Sequence, residues 1–184
     1  MKNLVIVSDT HGSFRNIKKC ISGFDNLKPE YVVHLGDDYV DADIISQFGY
    51  KVVRVPGLWT DYYQNPSIDN KMFWDFEGWR FFLTHSIEPH YNDLKGDISS
   101  EKVIKKKQCD VFLFGHTHIP KVVQQDGIVF VNPGHLKEKE TRSKPSYAFL
   151  QVSKSELKIA IVPLGLDPLK VEFQIVQKTP KKPH

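Results

Sequence analysis

The chain has 184 residues, of which 40% are hydrophobic and 26% charged, and a formal net charge of +3. That length supplies one substantial core, and the composition argues against a disordered or fibrous chain. So small a basic surplus does not by itself imply nucleic-acid binding, and two widely separated cysteines, Cys20 and Cys109, argue against a disulfide framework and for a reducing compartment. No apolar run reaches the roughly 20 residues a bilayer span needs, and residues 1–3 lead straight into a strand pattern without a secretory core. The expectation is a cytoplasmic protein with no membrane partner.

The first third reads β-α-β-α-β. Residues 4–7 form a continuous apolar run, as in a strand covered on both faces. Ser13 can cap a helix to about Ser22, with Ile17 and Ile21 on one face; residues 31–34 are a second strand. Asp38 and Asp41 are cap candidates for a helix running to Gln47 and stopped by Gly49, and residues 52–55 are a third strand. Further on, residues 71–76 and 79–84 flank Glu77-Gly78, and residues 122–125 and 128–131 flank Asp126-Gly127, both hairpin signals. Between them, Ser99 or Ser100 opens a helix to about Lys107 and residues 111–114 form a buried strand. Residues 146–152 and 157–162 are two more strands, with another expected within 170–176. The lysines at 102, 105, 106 and 107 read as a solvated helix end, and those at 178, 181 and 182 as a basic tail spanning 178–184. The reading is a single domain over residues 1–177: an α/β fold, a four-layer α/β/β/α sandwich of two mostly mixed sheets flanked by helices.

Four strands run directly into loops rich in potential metal ligands: Asp9-Thr10-His11, Gly36-Asp37, His85 and Gly115-His116-Thr117-His118. In an open α/β sheet such loops meet in one crevice at the carboxyl ends of the strands. Imidazole and carboxylate suit divalent transition metals. Joint occurrence at equivalent strand ends points to a metal centre that does chemistry. Elsewhere, His34 inside a strand reads as a hydrogen-bonded core histidine, and His90 as a loop residue facing solvent. Trp59, Tyr62 and Tyr63 either cover a sheet edge or stack a nucleobase.

With Asp9-Thr10-His11, Gly36-Asp37, Thr84-His85, Gly115-His116-Thr117-His118 and Asn132-Pro133-Gly134 in order over residues 3–135, the sequence resembles the calcineurin-like metallophosphoesterase superfamily. It is most similar to the small phosphodiesterases and to the retromer subunit that shares their fold. The resemblance implies one divalent ion on Asp9, His11, Asp37 and His118 and a second on Asp37, His85 and His116. Manganese is the expected metal, with zinc, iron, nickel or magnesium as alternatives. It also implies a metal-bound hydroxide attacking a small phosphoester, cyclic nucleotides among the candidates, with Asp37 and His116 catalytic and Asn132 and Gly134 near the substrate. Nucleic acid as substrate and homo-oligomerisation are left open. Two positions depart from the pattern. Leu58 stands where the family has a ligating Asn, so the second ion is expected to bind more loosely unless Asp61 replaces that ligand. His135 follows Asn-Pro-Gly where Ser is usual; it is read as an exposed structural residue, with general acid as the other role. The competing functional class is a non-catalytic interaction scaffold of the same fold.

Overall fold

The computed structural model describes residues 1–139 and 142–178. Alternating apolar residues, combined with parallel crossovers, sort the chain into two sheets. The first has six strands in the order β11-β10-β9-β1-β2-β3, formed by Lys2–Val7 (β1), Tyr31–His34 (β2), Val52–Arg54 (β3), Ser146–Val152 (β9), Glu156–Pro163 (β10) and Gln174–Gln177 (β11). β1, β2 and β3 run parallel, whereas β9, β10 and β11 join antiparallel. The second sheet has five strands in the order β4-β5-β6-β8-β7: Lys71–Phe76 (β4), Trp79–Thr84 (β5), Val111–Leu113 (β6), Lys121–Gln125 (β7) and Ile128–Asn132 (β8).

Strand pleating decides which side chains fill which layer. Leu4 and Ile6 of β1 face Phe81, Leu83, Val111 and Val131 across the space between the sheets, in the core that also takes Ala148, Leu150 and Ile159. Val5 and Val7 point the other way, against Ile17, Cys20 and Ile21 of α1 (Phe14–Ile21), Phe24 and Leu27 of α2 (Phe24–Leu27) and Ile45 of α3 (Asp41–Gln47). The outer face of the second sheet buries Phe82, Phe112 and Phe130 under Val103 of α4 (Ser100–Lys105). Each such side chain removed from water contributes about 1.5–3 kcal/mol. Helices this short are marginal in isolation, so the sheets hold them. Two mixed sheets with helices outside match the expected layered fold.

Both predicted hairpins form, the first with its anticipated boundaries and the second with each outer end one residue longer, at Lys121 and Asn132. Glu77 and Gly78 take φ of 49° and 81°, Asp126 and Gly127 take 52° and 84°, the two left-handed residues that suit a tight connection. Several local expectations fail. Neither Ser13 nor an aspartate caps its helix through a side chain: α3 begins after Val40, and Asp41 instead accepts a hydrogen bond from the Gly12 amide at 2.9 Å. Ser99 does cap α4, accepting from the Lys102 amide. The last strand starts at Gln174, because Pro168–Lys170 forms a turn of 3-10 helix. Residues 179–184 of the predicted tail lie outside the described residues. Among the described residues, no helix is long and apolar enough to cross a membrane.

Candidate metal centre

The carboxyl ends of β1, β2, β5 and β6 open into one crevice, and their loops deliver the expected ligands to it. One side-chain donor atom each from Asp9, His11, Asp37 and His118 lies within 4.8 Å of the others. Within this set, His11 Nε2 is 2.6 Å from Asp37 Oδ2 and 3.1 Å from His118 Nε2, and His118 Nε2 is 3.3 Å from Asp9 Oδ1. His85 adjoins them, with Nε2 3.3 Å from Asp37 Oδ1 and 4.0 Å from Asp9 Oδ1. His116 closes the far side, its ring centroid 5.2 Å from that of His85. All six predicted ligands are thus brought to one place.

Backbone geometry marks five of these six residues. Asp9, His11, Asp37, His116 and His118 have φ of 52°, 48°, 56°, 65° and 61°. Left-handed backbone at a residue with a Cβ costs about 1 kcal/mol or more each, and such residues collect at functional sites. The surroundings hold them there. The Asp9 amide donates to the Gly36 carbonyl at 3.0 Å, the His116 amide to Asp9 Oδ2 at 3.0 Å, and the Ser143 hydroxyl to the His118 carbonyl at 2.6 Å. Gly115 is required by closeness: a Cβ there would overlap the Ser8 side chain.

Electrostatics test whether a cation fits. His85 is fully buried and its Nδ1 lies 2.7 Å from the Leu35 carbonyl, which can only accept; Nδ1 therefore carries the proton. Nε2 is then aimed at the Asp9 and Asp37 carboxylates. Asp9 Oδ1 and His85 Nε2 are buried and have no hydrogen bond of good geometry. A buried carboxylate oxygen and an imidazole lone pair facing each other require a proton or a metal ion between them. Burial disfavours charge on Asp37, yet the His11 and His85 imidazoles against it hold its carboxyl well below the usual range. Burial alone lowers the His85 pKa, and the neighbouring carboxylates of Asp37 and Asp9 raise it above the ordinary value. His116 is lowered by burial, helped by the neighbouring His85. The donor set fits a divalent cation.

Beneath the ligand loops, His34 is the core histidine expected. Gly36 N–H donates to its Nδ1 at 3.3 Å, leaving Nε2–H to donate to Thr10 Oγ1 at 3.2 Å, and burial pushes its pKa down to about 4. Asn132 is buried and spent on the fold: its amide donates to the Gly115 carbonyl at 2.8 Å and to Thr117 Oγ1 at 3.1 Å, while its oxygen accepts from Gly134 N–H. It braces the His116–His118 loop from below. His135 is not exposed as expected but fully buried, because its ring packs 5.3 Å from that of His118 and its Nε2–H donates to the Ser143 carbonyl at 3.1 Å.

The departure at Leu58 also resolves. Gly57 lies against Asp37 so closely that a Cβ would overlap the Asp37 backbone, so Leu58 stands beside the second metal position. Its side chain is buried and its carbonyl accepts from Asn92 Nδ2 at 2.8 Å. Thr60 closes a turn onto the Gly57 carbonyl, and Asp61 begins the 3-10 turn Asp61–Gln64 as an exposed residue outside the converging set. Sequence reading missed the carboxylate of Asp93, which takes hydrogen bonds from Tyr63 Oη (2.5 Å), Lys71 Nζ (2.6 Å) and the His90 amide (3.2 Å). A lysine opening a strand is unremarkable in sequence, and its pairing across 22 residues leaves no local signal. His90 is half-buried rather than solvent-facing: Nδ1 accepts from the Asn92 amide, and the ring meets Trp59.

The profile of the Calcineurin-like phosphoesterase superfamily domain matches residues 1–155. The chain belongs to this superfamily. It is 28% identical over 142 residues to phosphodiesterase MJ0936 of Methanocaldococcus jannaschii, a match covering 70% of this chain and 81% of that protein. Among solved structures, a single-site variant of Vps29 from Entamoeba histolytica is similar with a TM-score of 0.70 at 18% identity, covering 96% of this chain and 99% of the other. Wild-type Vps29 of the same organism, solved in complex with Zn²⁺, is similar with a TM-score of 0.65 at 18% identity, covering 95% and 98%. At such identities the structural likeness speaks for the fold.

Proposed function

We propose that this chain is a metal-dependent phosphodiesterase acting on small phosphodiesters, with manganese as the activating ion ahead of zinc, iron, nickel or magnesium. The observation that carries the reading is the convergence of Asp9, His11, Asp37 and His118 within 4.8 Å, beside the buried, mutually facing Asp9 Oδ1 and His85 Nε2. A divalent cation bound there supplies Lewis-acid charge to a phosphoryl group and an activated water near neutral pH. Asp9, His11, Asp37 and His118 would hold one ion; Asp37, His85 and His116 would hold the other. His85 keeps a fixed tautomer through Leu35, so its Nε2 is presented without rotamer cost. His116 is exposed at the mouth of the crevice and able to meet an incoming phosphoryl oxygen. Asn132 and Gly134 act by setting the His116–His118 loop. His135 positions His118 rather than moving a proton, since its Nε2–H is committed to the Ser143 carbonyl. We assign residues 1–177 to one domain in a cytoplasmic protein.

A scaffold role draws on Leu58, which removes a ligand from the second position. Against it stand all six Asp and His residues, five of them in left-handed backbone that a scaffold has no physical need to maintain. The test is hydrolysis of bis-p-nitrophenyl phosphate by metal-stripped and manganese-loaded protein. Turnover should require the metal and fall at least about a thousandfold, on the order of 4 kcal/mol, in Asp37→Asn and His116→Ala with circular dichroism unchanged. Turnover that survives both substitutions removes the assignment.

A further inference from the structure

Beside the metal centre stands a wall of exposed aromatic rings on loops that are themselves rigidly tied. Trp59 is 65% exposed and Tyr91 77%. The Trp59 ring lies 5.0 Å from that of His90 and 5.5 Å from that of Tyr91, and His90 and Tyr91 lie 4.2 Å apart. On the other side of the same turn Tyr62 stacks on Tyr39 at 4.7 Å, with the Arg54 guanidinium 4.0 Å over Tyr39. Tyr63, by contrast, is buried and unavailable for stacking.

Both loops that carry these rings spring from strand ends of the metal centre. One follows β3 through Gly57, which touches the Asp37 backbone, so Trp59 is two residues, at most about 7 Å of chain, from that contact. The other follows β5 and the ligand His85. They are clamped together: Asn92 Nδ2 donates to the Leu58 carbonyl at 2.8 Å, Gln64 Nε2 to the Asn92 carbonyl at 3.0 Å, and Asp93 joins Tyr63 to Lys71, whose side chain is 3% exposed. Large apolar rings held exposed on a pre-organised frame mark a binding surface.

Resting on the phosphodiesterase reading, we propose that Trp59, Tyr91 and His90 form a stacking subsite for the base of a small nucleotidyl phosphodiester. A phosphodiester whose phosphorus sits at the metals has its ester group within reach of this wall, and a nucleobase presents a flat π-face suited to it. The rim is poorly suited to a long polyanion. Asp61 lies two residues from Trp59 and Asp38 follows the ligand Asp37, whereas Lys105 ends α4 and Lys106 and Lys107 follow it just before β6 begins, at the end of the sheet away from the crevice.

The test compares two substrates with one leaving group on manganese-loaded protein: methyl p-nitrophenyl phosphate and thymidine 5′-(p-nitrophenyl phosphate). The nucleotidyl ester should have the higher kcat/KM by about tenfold, and Trp59→Ala with Tyr91→Ala should bring the ratio near one, chiefly through KM. Separately, adenosine 5′-monophosphate should quench tryptophan emission saturably where inorganic phosphate does not, and Trp59→Phe should remove that response. Hydrolysis of both esters with a ratio near one in wild type, and no quenching, overturns the subsite while the phosphodiesterase reading stands. Hydrolysis of neither overturns the parent reading, and quenching then decides the subsite on its own. Turnover per bond that rises with oligonucleotide length overturns the small-substrate assignment.

Discussion

The two halves of the metal centre are built differently. Asp9, His11 and His118 descend from loops seated directly on β1 and β6 and braced from beneath by His34, Asn132 and Ser143. The half around His85 and His116 shares Asp37, but its neighbour from β3 is Leu58, which turns its side chain into the protein and gives only its carbonyl, to Asn92. One half spends its loop on ligands; the other spends it on a clamp and an aromatic wall. We propose that the centre is asymmetric by construction, with the greater metal affinity on the braced half.

The largest expected effect breaks the braced half. His118→Ala should abolish the tight metal site, lowering manganese affinity at least about a hundredfold, whereas His116→Ala should loosen only the weaker site; calorimetric titration reads both, and equal losses would erase the asymmetry. Next comes the clamp that supports the other half. Asp93→Ala leaves the buried Lys71 ammonium unpaired and should cost about 3 kcal/mol in urea unfolding. Pairing Asp93→Leu with Lys71→Met should recover most of it. Recovery failing, with Trp59 emission unchanged, would mean the clamp does not hold the wall.

A pH effect of similar or smaller size acts beneath the braced half. His34 titrates near 4 in the fold, below its ordinary 6.5, because burial disfavours its charge. Its neutral state contributes fully above about pH 6.5, and that contribution is lost as pH falls through 6.5 toward 4, up to about 3 kcal/mol. The difference in unfolding free energy between wild type and His34→Gln, measured in chelator from pH 7 to 4, should shrink as pH falls. A flat difference would mean that His34 titrates alike in the folded and the unfolded chain.

Most of the sheet layout was legible because strands here carry unbroken or alternating apolar runs ended by Glu77-Gly78, Asp126-Gly127 or a ligand loop. The converging Asp and His residues were legible because they sit at strand ends, four of them in two pairs two residues apart. What was not legible depends on long-range geometry. Nothing local distinguishes a capping Asp41 from one reaching Gly12, or an exposed His135 from one sealed against His118, since both depend on which loop lies opposite. The left-handed backbone at five ligands is likewise imposed by the fold rather than by residue type. The short α2 and the turn Asp61–Gln64 escaped because four residues carry too little periodicity.

Whether the crevice holds one strong and one weakened ion site is read by calorimetric titration of metal-stripped protein with manganese. Two steps of unequal affinity are expected, the weaker tightened about tenfold, or roughly 1.4 kcal/mol, by Leu58→Asn and indifferent to Asp61→Ala. Two equally tight steps in wild type, one of them lost in Asp61→Ala, would contradict it and make Asp61 the ligand that replaces the missing amide.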